Sequence, residues 1–413
     1  MRTTSVALVL LVAVGVVWCG QTVRKAERST GNDLVGYLAA SEALYTQQDP
    51  YHLPDRFPYI YPLFLATVLR PLSMVGVRTA TIVWFAIECT CLVFILRRAR
   101  LRVGRLDVSG VAAAAFVVAV FGDVLQLEFL NGQVNLVVVA LIVASVQFSD
   151  RRPHLAPALL GAAIAIKLTP ALMLVYWIVR RRFAFFVQAC GWAILFVLLP
   201  WLVVGDRLWS LYDDYLHNFI LARTASSNPH GTDIFFSLYG FLGWVTSSPP
   251  GRPVVVLSAL AVLAVLLLWH AATVLGVRAR FSNWGRGQTP LVTAQPLGDN
   301  LSAHPTGGDP GRDDPGRDPG RARAAARWAR DGWHEGAAWV YLAATPLLAP
   351  MSEVHHLTAA LPLAPLTGTA GVPFALFLWI GRVDRRGPWY FLAVVSLVIA
   401  GALVIGRRSK EAV

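Results

Sequence analysis

Residues 79–105, TATIVWFAIECTCLVFILRRARLRVGR, decide the fold. The run 79–96 is apolar and close to the length that a hydrocarbon core demands of a spanning helix, about 20 residues. Arg97, Arg98, Arg100, Arg102 and Arg105 follow at once. Cations at the end of an apolar helix stay on the cytoplasmic side, so this stretch predicts a span and also its direction.

The rest of the chain has the same character. Its 413 residues are 56% hydrophobic and 15% charged, with mean hydropathy +0.55. A soluble domain carries about 25% charged residues, and so little charge cannot cover a water-exposed surface. A soluble enzyme, a secreted disulfide scaffold and a disordered chain are therefore excluded. The expected fold is all-α, a polytopic transmembrane helical bundle of roughly 10–12 spans. Candidate spans are 4–22, 79–96, 108–122, 132–148, 183–204, 253–276 and 389–406. The stretches 156–179 and 336–380 are apolar but interrupted, each fitting one kinked span or two shorter ones. With Arg2 ahead of an apolar run and no cleavage pattern after it, 4–22 reads as an uncleaved signal anchor.

The formal net charge of +12 reflects topology, because the arginines cluster between apolar runs. Arg151–Arg152, Arg180–Arg182, Arg278–Arg280 and Arg382–Arg386 join the first cluster inside. That leaves 23–60, 123–131, 205–252 and about 350–356 outside. The segment 61–76 then cannot span, and Pro62 and Pro71 suit an outer-face interfacial or re-entrant helix. No basic stretch carries interleaved aromatics, so no nucleic acid is expected as a partner. Cys19, Cys89, Cys91 and Cys190 lie in apolar runs and read as packing residues.

Three parts follow along the chain. Residues 1–280 form the first part of the membrane core and 336–413 the last. Between them, 281–335 is rich in Gly, Pro, Asp and Arg and repeats Asp309-Pro-Gly-Arg. Composition predicts a disordered cytoplasmic linker there.

Polar residues in so apolar a chain are costly and therefore informative. Asp33 precedes an expected amphipathic helix, 34–47; it reads as a helix N-cap or as a general base. Tyr59 and Tyr61 suit an interfacial belt or a sugar and phosphate pocket. Glu128, Asn131, Gln133 and Asn135 crowd the mouth of an apolar helix. Their amides suit sugar hydroxyls or helix–helix bonds. Lys167, in Lys167-Leu-Thr-Pro170, needs an anionic partner, either a carboxylate or a ligand phosphate. Glu353, His355 and His356 make a poor complete metal site and suit phosphate or sugar contacts better, so neither metal nor cofactor is expected. Arg223 and Asn228, in the loop 205–252, are candidate acceptor contacts. Most of these groups share the outer end under the arginine-derived topology; Lys167 joins them only if 156–179 is a re-entrant hairpin.

Five motifs, in order along the chain, carry a resemblance. They are Asn32-Asp-Leu-Val-Gly-Tyr37, Phe57-Pro-Tyr-Ile-Tyr-Pro62, Asn131-Gly-Gln-Val-Asn135, Gly161-x5-Lys167-Leu-Thr-Pro170 and Ala349-Pro-Met-Ser-Glu-Val-His-His356. Together they resemble the polyprenol-phosphate-dependent glycosyltransferases of the GT-C type, family 87. The linker 281–335 has no counterpart there. The resemblance implies a plasma-membrane enzyme with its site on the outer face. A polyprenyl-phosphate sugar, typically of mannose, would be the donor and a glycolipid or lipid-linked molecule the acceptor, with membrane lipids around it. It implies an inverting transfer with Asp33 as base. Lys167, His355 and His356 would lie near the donor phosphate, and Tyr61, Asn131, Gln133, Asn135 and Glu353 near the donor. A lipid or sugar transporter is the first rival, but the twofold repeat of broken helices expected of one is not evident in the sequence. A non-catalytic envelope protein is the second, and it would tolerate loss of Asp33.

Overall fold

The computed structural model describes residues 2–28, 32–53, 59–100, 110–217, 241–242, 245–246, 252–286, 337–344 and 387–411. Among the described residues every element is helical. In order these are α1 (Arg2–Glu27), α2 (Asp33–Tyr45), α3 (Leu63–Val68), α4 (Arg70–Ser73), α5 (Val77–Arg100), α6 (Gly110–Asn131) and α7 (Asn135–Phe148). Then come α8 (Leu155–Ile166), a single 3-10 turn Thr169–Ala171, α9 (Leu172–Val179), α10 (Phe183–Leu198), α11 (Trp201–Val204) and α12 (Arg207–Tyr215). Two further helices are Arg252–Arg286 and Gly387–Glu411.

Three of these are long and apolar enough to cross a membrane: Val9–Glu27, Val77–Arg98 and Phe183–Val204. Phe121–Asn131 and Asn135–Phe148 qualify only as a pair, bent by 111°. The expected spans 253–276 and 389–406 lie on the last two helices, while 336–380 falls largely outside the described residues.

Hydrogen bonds and ion pairs order the bundle. The Thr22 hydroxyl donates to the Phe129 carbonyl at 3.0 Å, so α1 and α6 run side by side with their C-termini at the same end. Trp18, Phe85 and Phe129 cement α1, α5 and α6, with ring centroids 5.7 Å and 4.8 Å apart for the two pairs that involve Phe129. At the opposite end Arg182 meets Asp150 at 2.7 Å. The chain between them must leave that end and return to it. The segment 156–179 is therefore a hairpin of α8 and α9, with Lys167 at its turn. Its packing on α10 is close: a Cβ on Gly161 would stand 2.7 Å from Trp192 Cβ and 2.8 Å from the Ala193 nitrogen.

Several expectations are corrected. The helix expected over 108–122 runs on to Asn131, so 123–131 is the last two turns of α6. Phe121, Val124, Leu125, Glu128 and Phe129 recur at helical spacing and are all buried. The helix expected at 34–47 is Asp33–Tyr45, and it is not amphipathic. Leu34 to Leu38, Ala40, Ser41, Ala43 and Leu44 are buried, because the short α3, α4 and α11 pack around it. The segment 61–76, expected not to span, needs no such correction: it forms α3 and α4, both too short to span, with Pro62 capping one and Pro71 opening the other. Of the linker expected over 281–335, residues 281–286 belong to the helix Arg252–Arg286, and 287–335 lies outside the described residues.

Candidate active site

The site is assembled by one turn. Gly132, at φ +61°, and the two residues after it break the helix between α6 and α7. With Asn131 closing α6, Gln133 in the break and Asn135 opening α7, the three amides do not share one helical face, and each meets a charged residue.

Asn131 Oδ1 accepts from the Lys25 ammonium at the C-terminal end of α1. Lys25 lies close enough to feel the Asp33 carboxylate. Gln133 Nε2 donates to Asp33 Oδ2. The orientation of that amide is set from behind, where Tyr37 Oη donates to Gln133 Oε1 at 3.4 Å. Burial holds the Tyr37 phenol well above its ordinary range, so it keeps the proton it donates. With its oxygen held by Tyr37, Gln133 turns its N–H groups towards Asp33.

Asn135 faces the other way. Its Nδ2 donates to Glu128 Oε2 at 2.9 Å, and its Oδ1 accepts from Lys167 Nζ at 2.7 Å. Lys167 follows the last turn of α8, where the backbone turns extended (φ −148°, ψ 128°) before Pro170. That break points the half-buried ammonium across to α7 and to 5.6 Å from the Tyr61 ring centre. Tyr61 in turn meets Tyr37 edge-on at 5.4 Å.

The structure thus brings Asp33, Tyr61, Asn131, Gln133, Asn135 and Lys167 to one end of the bundle. The N-cap role considered for Asp33 belongs to its neighbour. Asn32 Oδ1 accepts from the Val35 nitrogen at 3.1 Å, and its Nδ2 donates to the Leu130 carbonyl at 3.1 Å, tying α2 to α6. Asp33 is the first helical residue, where the dipole favours its negative charge. The amides, read as suiting sugar hydroxyls or helix–helix bonds, meet the charged side chains of Lys25, Asp33 and Lys167. Tyr59 is structural: its hydroxyl donates to the Pro62 carbonyl at 2.7 Å and accepts from the Ala66 nitrogen. Arg223, Asn228, Glu353, His355 and His356 lie outside the described residues.

Sequence reasoning missed Lys25, Tyr37 and the role of Glu128. The rarity of lysine was the available signal for Lys25, and the helical i, i+4 spacing from Asp33 for Tyr37. Beside the site, His52 stands 2.9 Å from Asp49 and 3.2 Å from Asp214, joining the loop after α2 to α12. These three groups lie within 4.8 Å of one another. The Asp49 hydrogen bond raises His52 above its usual range; slight burial opposes this, and the Asp49 and Asp214 charges add to it.

Such an arrangement offers one carboxylate, Asp33, with the Lys25 ammonium near it, and a second ammonium, Lys167, held by the other end of the same turn. It can take a proton and compensate a developing phosphate charge at nearby points.

A polyprenol-phosphate-mannose-dependent α-(1-2)-phosphatidylinositol pentamannoside mannosyltransferase of Mycolicibacterium smegmatis is 30% identical over 234 residues, 55% of this chain and 55% of the relative. A protein of the same description from Mycobacterium tuberculosis is 28% identical over 247 residues, 58% and 52% of the two chains. A phosphatidylinositol mannoside mannosyltransferase of M. smegmatis is 31% identical over 160 residues, 35% and 34%. The chain spans about half the length of the first two. No solved structure matches it. The profile described as glycosyltransferase family 87 matches residues 59–285, taking in the Asn131–Asn135 turn and Lys167 though not Asp33. With more than half of its length covered by that match, the chain belongs to glycosyltransferase family 87.

Proposed function

We propose that this protein transfers mannose from a polyprenyl-phosphate-mannose donor to a glycolipid acceptor at the outer face of the plasma membrane, with inversion. The observation that carries this reading is the Asn131–Asn135 turn. It holds a carboxylate, Asp33, and an ammonium, Lys167, on the two sides of one polar patch.

Asp33 takes the proton of the acceptor hydroxyl as that oxygen bonds to the anomeric carbon. The bond from that carbon to the phosphate oxygen breaks on the opposite face, and its electron pair stays on the phosphate. Lys167 compensates the growing negative charge, as an ammonium does well for phosphate. His355 and His356 are assigned to the same phosphate, and Tyr61 and Glu353 to the donor's sugar side. Arg223 and Asn228 are assigned to the acceptor. The phosphate is already a good leaving group, so alignment and charge stabilisation suffice.

The orientation rests on charge. Arg97–Arg98, Arg151–Arg152 and Arg180–Arg182 gather at the end opposite Asp33, which the positive-inside rule puts in the cytoplasm. Several cations at the Asp33 end have protein partners: Lys25 bonds Asn131, Arg207 bonds Gln47, and Arg70 lies over the Tyr45 ring.

The test uses the full chain in nanodiscs with radiolabelled polyprenyl-phosphate-mannose and a lipid acceptor fraction. Wild type should transfer label, and Asp33→Asn should lose at least about a hundredfold in rate while remaining folded. Normal transfer by Asp33→Asn, or none by wild type from any polyprenyl-phosphate sugar, would overturn the proposal. A cysteine introduced at position 33 should react with an impermeant reagent added from outside intact cells; one at position 151 should not.

A further inference from the structure

Two cations at the outer end of α1 work against the orientation proposed above, because basic groups favour the cytoplasmic side. Arg24 closes the span Val9–Glu27 and Arg28 follows it. Lys25, Arg70 and Arg207 have partners at that end, but Arg24 and Arg28 are exposed. Among the described residues neither side chain makes an ion pair, hydrogen bond or ring contact. A cation near a helix C-terminus complements the helix dipole, and that is the structural alternative to a ligand role.

Their place on the helix is informative. Each residue turns an α-helix by about 100°, so seven residues bring a side chain back to within about 20°. Leu10, Val17 and Arg24 therefore form one stripe. Arg28, whose nitrogen still bonds the Arg24 carbonyl at 3.3 Å, falls within about 40° of it. Leu10 and Val17 are 61% and 55% exposed, so the stripe faces away from the bundle. It runs apolar along the span and basic at the outer end, the order in which a lipid presents an acyl chain and an anionic headgroup.

The stripe also adjoins the site. Lys25 lies about 60° round the helix from Arg28 and bonds Asn131, in the turn that holds Asp33 through Gln133. Glu27, the acid of this segment, lies on the flank away from Lys25. Asp33 is five residues beyond Arg28, at most about 18 Å along even an extended chain.

Resting on the transferase reading above, we propose that the outer end of α1 binds the headgroup phosphodiester of the acceptor. Arg24 and Arg28 meet the phosphate, the acyl chain lies along Val17 and Leu10, and the acceptor's sugar reaches past Lys25 to Asp33. The acceptor class is then an anionic glycolipid in which a phosphodiester stands between sugar and acyl chains.

The test uses the full chain in nanodiscs of zwitterionic phosphatidylcholine with radiolabelled polyprenyl-phosphate-mannose. The lipid acceptor fraction is split by anion exchange into neutral and anionic glycolipids. Wild type should label the anionic glycolipids. Arg24→Gln/Arg28→Gln should raise the apparent KM for them at least about fivefold while donor KM holds. Arg24→Lys/Arg28→Lys should keep the wild-type value, because an ammonium serves phosphate as a point charge. Wild-type acceptor KM in the folded Arg24→Gln/Arg28→Gln protein, as the dipole role predicts, would overturn the proposal, and so would an equal rise in both KM values. Phosphatidylglycerol added to the nanodiscs separates the sources of phosphodiester. If wild type needs it for transfer and Arg24→Gln/Arg28→Gln does not respond to it, the stripe holds bulk lipid and the proposal fails. Label that enters only neutral glycolipids defeats this inference and leaves the transferase reading standing. No label in either fraction, from any polyprenyl-phosphate sugar, defeats the transferase reading and this inference with it.

Discussion

Replacing Gly132 by alanine should damage transfer far more than its size suggests. Gly132 sits at φ +61°, and a Cβ there would lie 2.7 Å from Leu34 Cβ. The left-handed backbone alone costs a non-glycine residue about 1–2 kcal/mol. Ordinary carbon contacts need about 3.5–4.0 Å, so Leu34 must retreat by about 1 Å. Overpacking of that kind costs about 1–3 kcal/mol, giving about 2–5 kcal/mol in all. Leu34 is bonded to Asp33, and the turn carrying Gly132 also carries Gln133. The retreat therefore moves the carboxylate away from its amide partner, and an error of about 1 Å at a reacting group costs about a hundredfold in rate. Gly205 supplies the control. It has φ +57° but nothing within 4 Å of its Cβ position, so Gly205→Ala isolates the backbone strain. Thermal unfolding in nanodiscs and initial transfer rates should show both variants destabilised, with only Gly132→Ala losing kcat. If Gly132→Ala remains folded and transfers mannose at the wild-type rate, the placement of Asp33 by this turn does not govern the reaction.

Other expectations follow from single contacts. Gly161→Ala should lower stability by at least about 1–3 kcal/mol, because its Cβ meets α10 backbone that cannot yield; Gly191→Ala, with open space around it, should be neutral or slightly stabilising in the same melts. His52 is more basic in the fold than unfolded, so its tether favours the folded state fully below the ordinary imidazole value of about 6.5. That contribution disappears as pH rises through the raised value. Melting curves from pH 5.5 to 8.5 should therefore show wild type and His52→Gln converging as pH rises; a gap that widens refutes this sign. Asp150→Asn should cost under about 1 kcal/mol, because its pair with Arg182 is exposed, and a larger loss in melts would show that the hairpin base is held mainly by that pair. Transfer should persist in excess chelator; its loss, restored by one divalent ion, would direct attention to Asp49, His52 and Asp214.

Much of the architecture is legible in the residue order because it depends on local quantities. An apolar run of about 20 residues spans whatever its neighbours are, and α1, α5 and α10 fall where hydropathy puts them. The end of α6 is harder to place, because Asp123, Gln126 and Glu128 interrupt the apolar run, although the apolar residues between them keep helical spacing. Similarly, α2 has no polar face to find, since its surroundings bury nearly all of it. The candidate site divides the same way. Asp33, Lys167 and the three amides stand out because polar groups are expensive in such a chain. Lys25 and Tyr37 do not stand out, because a lysine at a helix end and a tyrosine in a helix are ordinary until their partners are known.

The sequence by itself determined that this protein is a helical membrane bundle, which polar residues were candidates, and through its motifs the family. Tertiary structure alone decided which partners the described candidates meet within the bundle. Asn131 meets Lys25 across 106 positions, and Gln133 meets Asp33 across 100. Whether 156–179 crossed the membrane or folded back was also settled in three dimensions, by the pairing of its two ends. The physical reason is reach. Hydropathy and helix propensity act over a few residues, whereas a hydrogen bond depends on distance in space and is indifferent to how much chain lies between its partners.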